Sequence, residues 1–161
     1  MRTAASRVDV RRAGPDDAAV VLAMLREFAV ENGDPLTSDE AGWRRMLGRP
    51  EVVVLVADRD GEPVGYVSAV RRLHLWSATD ILGLDDLFVR QGYRDAGVGR
   101  LLMLELARLA APEGLLVRWE VAEDNLRAQQ LYQRLGATLR SKVIASWPPE
   151  SFPLTDGVRG T

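Results

Sequence analysis

Two carboxylates, Asp85 and Asp86, interrupt the otherwise apolar run "LDDLFV". A few residues on, the turn R-D-A-G-V-G from Arg94 to Gly99, with Arg100 next, opens straight into a leucine-rich stretch. Both choices cost stability, so the chemistry each could serve is the first question. A carboxylate beside a substrate ammonium attracts the cation and can accept its proton, freeing the amine to attack. Glycines at the mouth of a helix let a ligand approach the backbone and leave N–H groups pointing outward. Those donors and the positive end of the helix dipole suit an anion, and Arg94 and Arg100 add charge for phosphate oxygens. The plainer alternatives are glycines that only allow a helix to pack closely, and acids that end a solvated strand or pair with arginines. Strand alternation places Asp85 and Asp86 on opposite faces, Leu87 and Val89 with the former, Leu84 and Phe88 with the latter.

The elements around these residues follow from periodicity and punctuation. "VDVRRA" alternates as a first strand. "GPDDAAVVLAMLREFAVE" is a helix with Pro15 in its first turn, Asp16 and Asp17 at its positive end, and Ala18, Val21, Leu22, Leu25 and Phe28 at helical spacing. "TSDEAGWRRML" is a second helix, with Thr37 and Glu40 as a capping box. "EVVVLVADRDGEPVGYVSAV" is a hairpin turning at Asp60-Gly61. "RRLHLWSATD" reads as a loop, "ILGLDDLFV" as a strand, and Val98–Ala110 as a helix stopped by "APEG". "LLVRWEV" is a strand with Trp119 in the core, "AEDNLRAQQLYQRLG" a helix ended by Gly136, and "ATLRSKVIASW" a last strand. The expected fold class is α/β (α+β): a mixed sheet with helices on both faces. One domain over 1–161 is expected, with a core at about 8–146 and a weakly ordered tail at 148–161.

Bulk properties narrow the classes. With 161 residues the chain can bury a full core, and its 47% hydrophobic and 27% charged residues are those of a globular protein. A net charge of −2, without a basic stripe, argues against nucleic acid and acidic membranes as partners. The N-terminal stretch lacks the apolar segment of a secretory signal, and nothing reaches transmembrane length, so a cytoplasmic protein is expected. No cysteine is present, which removes disulfides and thiolate nucleophiles. No His/Asp/Glu cluster has metal-ligand spacing, and no metal is expected. The single histidine, His74, reads as an exposed or structural loop residue.

Arg94-x-x-Gly97-x-Gly99 resembles the Q/R-x-x-G-x-G/A acetyl-CoA signature of the GNAT superfamily of N-acetyltransferases. "DNLRAQQLYQRLGA" is similar to that family's N-x-x-A-x-x-x-Y-x-x-x-G stretch, with Asn125, Ala128, Tyr132 and Gly136 in place. The opening "VRRAGPDDAAVV" and the hairpin extend the resemblance from about Val8 to Ser146. One departure is Asp95 and Ala96, where many members carry glycine and a basic residue; Asp95 brings a negative charge near the expected phosphates.

The resemblance implies the acyl-CoA N-acyltransferase fold, with a mostly antiparallel central sheet, and acetyl-CoA as co-substrate. Leu87, Phe88 and Val89 would offer backbone groups to the pantetheine arm. Arg94, Asp95, Ala96, Gly97, Val98, Gly99 and Arg100 would cradle the pyrophosphate, and Asn125 would bond near the thioester. Tyr132 takes the general-acid position: a phenol of pKa about 10 can donate to a leaving thiolate whose conjugate acid lies near 8.5. Its alternative is a helix residue that only packs on the sheet.

"LDDLFVRQGYRDAGVG" resembles the diamine and polyamine branch, in which the first acid draws the proton from the amine, often through water. That position is Asp85. Asp86, Phe28, Glu31 and Trp76 are the acceptor-side candidates. Without a cysteine, direct attack in a ternary complex is favoured. A protein N-terminus or lysine side chain is the alternative acceptor, and a non-catalytic acyl-CoA sensor the alternative class. Family habit suggests a homodimer, formed through the last strand and tail.

Overall fold

Val53 to Ala57 are buried without a break, which a strand tolerates only when both faces of its sheet are covered. They belong to β2 (Val52–Arg59) of a five-stranded sheet with β1 (Val8–Arg12), β3 (Glu62–His74), β4 (Thr79–Val89) and β5 (Leu116–Arg118) in that spatial order. The first three pairings are antiparallel and the β4–β5 pairing is parallel. The computed structural model describes residues 7–153. The chain divides into two compact units, Met1–Ala122 and Glu123–Thr161.

In the first unit, α1 (Ala18–Asn32) and α2 (Glu40–Leu47) cover one face of the sheet. Val21, Leu22 and Met24 of α1 and Trp43 and Leu47 of α2 pack with Val54, Val56, Tyr66 and Phe88. Alternation turns Val53, Leu55, Val67 and Ala69, all buried, to the other face. There α3 (Val98–Ala110) contacts β2, β3 and β4 and buries Val98, Leu102, Met103, Leu106 and Ala110. The expected mixed sheet with helices on both faces is what forms.

The β2–β3 turn at Asp60 (φ 53°) and Gly61 (φ 87°) is the two-residue hairpin the sequence announces. Gly65 lies where β3 crosses β4 closely: a Cβ there would sit 2.7 Å from the Phe88 carbonyl oxygen. The expected loop at 71–80 is mostly strand. β3 runs to His74 and β4 starts at Thr79, because Arg71 and Asp80 join across the ladder at 2.7 Å and the reversal needs only Leu75–Ala78. The capping box at Thr37 does not form. Asp39 is the N-cap of α2, its Oδ1 accepting from Gly42 N at 2.8 Å. β5 stops at Arg118, four residues before the unit ends at Ala122, and Trp119 is half-buried rather than core.

The second unit holds α4 (Leu126–Arg134), followed by Gly136 at φ 92°. The strand expected over 137–147 is absent: the segment has no regular structure, and Val143 is 96% exposed. Alternating β-formers make a strand only where a neighbour completes the ladder, and the described residues supply none there. Beyond it a 3-10 turn spans Pro149–Ser151, with the Trp147 ring edge-on to Phe152 at 5.0 Å. Residues 154–161 of the expected tail lie outside the described residues.

Candidate active site

The two aspartates sit on a β-bulge. Leu84 pairs with Ala69 and Asp86 with Ser68, so Asp85 is the extra residue of β4 without a partner across the ladder. An extra residue breaks the alternation of faces. Leu84 therefore shares the α3 face with Ala69, and Asp86 shares the α1 face with Ser68, Tyr66 and Phe88. The Asp85 charge acts on Asp86, and Arg72, which alternation along β3 places on the α1 face, acts on Asp85. The expectation that Leu84 lies on Asp86's side is thus wrong. The bulge takes Asp85 out of the strict alternation and leaves it within electrostatic reach of Asp86 and Arg72.

Their surroundings differ. Asp86 is half-buried, and its Oδ2 accepts from Tyr66 Oη and Ser68 Oγ at 3.4 Å each, while its own N–H donates to Ser68 Oγ at 3.2 Å. Burial raises its pKa first, the Asp85 charge raises it further, and the two hydroxyl donors pull it back. Asp85 is the more exposed; burial raises its pKa and Arg72 lowers it. Arg72 can lie close because Gly83 leaves room: a Cβ at Gly83 would be 3.2 Å from Arg72 Nε. Tyr66 is fully buried against Asp86 and keeps its proton far above its ordinary range. The result is a desolvated acid pair with one member held by hydroxyls and the other open.

From Leu84, just before the bulge, β4 loses its neighbour on the β5 side. The parallel ladder covers only Ile81, Leu82 and Gly83, opposite Leu116, Val117 and Arg118. Leu84–Val89, including Leu87, Phe88 and Val89, has no strand partner on that edge among the described residues. A strand edge with unpaired peptide groups is suited to an extended amide-bearing chain. β4 leads through a 3-10 turn, Gln91–Tyr93, to Asp95 (φ 63°) and Gly97 (φ 80°), both left-handed. Gly97 is the N-cap of α3, with no side-chain capping bond, and the first intrahelical bond runs from Leu101 N to Gly97 O at 3.0 Å. The N–H groups of Val98, Gly99 and Arg100 precede it, at the positive end of a 13-residue helix. Ala96 and Gly97 are exposed beside them, as is the Arg100 side chain.

Arg94 is already engaged. Its Nη2 meets Glu31 Oε2 at 2.6 Å, its Nε donates to Val89 O at 2.7 Å, and its guanidinium lies 5.7 Å from the Phe88 ring centre. Phe28 stacks on Phe88 at 5.3 Å. Phe28 and Glu31, expected on the acceptor side, are thus joined to β4 and to the turn. Trp76 sits at the tip of the β3–β4 hairpin, 95% exposed. Some six rungs of ladder, roughly 20 Å, part it from the Ser68–Asp86 pair, so the described structure does not bring it to the acids.

In the second unit Asn125 is the N-cap of α4, its Oδ1 accepting from Ala128 N at 3.1 Å. Tyr132 lies on α4, buried, and burial raises its phenol pKa. It therefore holds its proton through neutral pH. Among the described residues no three His, Asp or Glu side chains gather as a metal site, and no helix is long and apolar enough to cross a membrane.

Residues 19–137 match the model of the acetyltransferase (GNAT) family. The chain belongs to that family. It is an N-acetyltransferase, and its relatives are named as such. It is 31% identical over 143 residues to the thialysine N-epsilon-acetyltransferase of Bos taurus, covering 81% of this chain and 84% of that protein. It is 29% identical over 133 residues to the uncharacterized N-acetyltransferase YhfO of Bacillus subtilis, covering 80% and 89%. A crystal structure of an aminoglycoside N-acetyltransferase in complex with CoA superposes with a TM-score of 0.77 over 92% of this chain and 99% of that one, at 16% identity. The last comparison bears on the fold alone.

Reading the acetyltransferase's sequence missed Tyr66, Ser68 and Arg72 as neighbours of the acids. Tyr66 and Ser68 are two apart on β3, so a shared face is legible. Their register against Asp86 depends on the bulge at Asp85, which no local signal marks.

Proposed function

We propose that this acetyltransferase moves an acetyl group from acetyl-CoA to a primary amine of a small cationic acceptor, by direct attack in a ternary complex. The observation that carries the reading is the acid pair at the β4 bulge, Asp85 within electrostatic reach of Asp86, close to where β4 and β5 part. The acid pair attracts an ammonium, and Asp85, the open member with its pKa raised, takes the proton directly or through water. Asp86, held by Tyr66 and Ser68, supplies the second charge for the cation. The thioester carbonyl would lie along Leu87–Val89, with the pyrophosphate on the α3 N-terminus. The amine nitrogen forms the new C–N bond, the thiolate leaves, and Tyr132 returns a proton to it. Asn125 supports the pantetheine end through the amide not used in its cap. The thialysine N-epsilon-acetyltransferase relative supports an amine at the end of a flexible chain.

Acid-lined access also suits a lysine side chain of a protein, so lysine peptides belong in the same assay. Thiol release from acetyl-CoA across polyamines, diamino acids, aminoglycosides and lysine peptides tests the proposal. Turnover on a small cationic amine is expected, and Tyr132→Phe should lower kcat at least about a hundredfold while CoA still binds. Turnover on peptides alone would contradict the acceptor class. CoA binding with no turnover on anything would point to a sensor.

A further inference from the structure

Glu27 and Glu31 lie one turn apart on α1, and Arg90 and Arg94 flank the 3-10 turn Gln91–Tyr93 that carries β4 into the cradle. The four side chains close in register: Arg90 Nη2 meets Glu27 Oε1 at 2.8 Å, and Arg94 Nη2 meets Glu31 Oε2 at 2.6 Å. Each guanidinium is also tied to a main-chain carbonyl, Arg90 Nη1 to Pro63 O and Arg94 Nε to Val89 O, both at 2.7 Å. Between the two pairs, Phe28 stacks on Phe88, whose ring lies beside the Arg94 guanidinium. Helix α1 is thereby fastened to both ends of the connector that sets where the α3 N–H groups point.

An isolated exposed ion pair contributes little, because solvent screens it and two long side chains must be held still. Here the carbonyl bonds and the Phe88 ring already hold the guanidinium groups, and the Arg94 and Glu31 side chains are only 33% and 38% exposed. The pairing also neutralises Arg94 where the sequence pattern casts it as a phosphate ligand.

We infer that Glu31, with Glu27 behind it, is a positioning residue for the donor, and that Arg94 is the strut it acts on rather than a ligand of the pyrophosphate. The attraction for the anion then comes from the α3 N–H groups and Arg100. This rests on the reading of the turn as the pyrophosphate cradle of acetyl-CoA.

The two roles for Arg94 give opposite signs when Glu31 loses its charge. Were Arg94 a phosphate ligand restrained by Glu31, Glu31→Gln would release a cation and tighten CoA binding. As a strut, Arg94 needs Glu31, and Glu31→Gln loosens the cradle. Calorimetric titration of CoA into the wild type, Glu31→Gln, Arg94→Gln and the double variant decides between them, with thermal melts confirming that each is folded.

The expected result is a Kd raised roughly fivefold in Glu31→Gln, about 1 kcal/mol, with a double variant little worse than either single one. Glu27→Gln should shift in the same direction, and Glu31→Asp should recover part of the loss. At saturating donor, kcat and the acceptor KM should stay within about twofold of wild type. Unchanged or tighter CoA binding by Glu31→Gln, or an effect confined to the acceptor KM, would overturn the inference while leaving the cradle standing. A wild type that fails to bind CoA would overturn both.

Discussion

Asp86 carries the sharpest conflict between stability and function at the scale of a single residue. Its carboxylate is half-buried, beside another acid, with two hydroxyl donors as partial compensation. Its pKa in the folded state is raised, so the native protein binds the proton more tightly than the unfolded chain does. Below the ordinary carboxylate range both states are protonated and there is no penalty. As pH rises through that range the unfolded chain releases its proton first and native stability falls; the full penalty persists above the raised folded pKa. Asp86→Asn keeps a group that can bond to Tyr66 and Ser68 and removes the charge. We expect it to raise Tm near neutral pH, by an amount corresponding to about 0.5–2 kcal/mol, to leave Tm near wild type at about pH 3, and to lower activity on cationic amines. Equal or lower Tm at neutral pH would show that the carboxylate is satisfied where it stands. The residue types of this site were legible because carboxylates in an apolar run and glycines at the mouth of a helix both run against local preference. Their partners were not, since Tyr66, Ser68 and Arg72 look like ordinary strand residues until register is known.

Among the elements, the ones that matter most are defined by where regularity fails. The hairpin at Asp60-Gly61 and the amphipathic helices were legible from spacing alone, because turn chemistry and helical period are local. The bulge at Asp85 and the early end of the β4–β5 ladder were not, because both come from pairing between distant segments. The missing strand over 137–147 makes the same point in reverse: alternating β-formers stayed irregular without a neighbour. Two substitutions separate local from long-range causes. Asp39→Ala removes the α2 cap and should cost about 1 kcal/mol, visible in denaturant melts with activity kept. Gly65→Ala drives a Cβ to within 2.7 Å of the Phe88 carbonyl oxygen. It should cost about 1–3 kcal/mol and also slow turnover, because β4 must shift. Equal activity in both would mean that the exact line of β4 does not matter to the chemistry.

At the scale of the molecule, a net charge of −2 leaves no general field for a cationic acceptor, so attraction has to come from the site itself. In the proposed reading the sheet supplies it: one face takes α1, α2 and Asp86, the other takes α3, and β4 passes from the bulge to the α3 N-terminus in a single run. The family was legible from the sequence because its donor motifs lie on contiguous stretches, Arg94–Gly99 and Asn125–Gly136. The acceptor was not, because the neighbours of Asp85 and Asp86 come from a separate strand whose register no local signal sets. The most direct test of the account is the pH dependence of acceptor kcat/KM, measured for the wild type and Asp85→Asn with the best small amine found. The wild type should show an acid limb above the ordinary carboxylate range, and Asp85→Asn should lose at least about a hundredfold in rate together with that limb. A variant that keeps both rate and limb would contradict Asp85 as the proton acceptor.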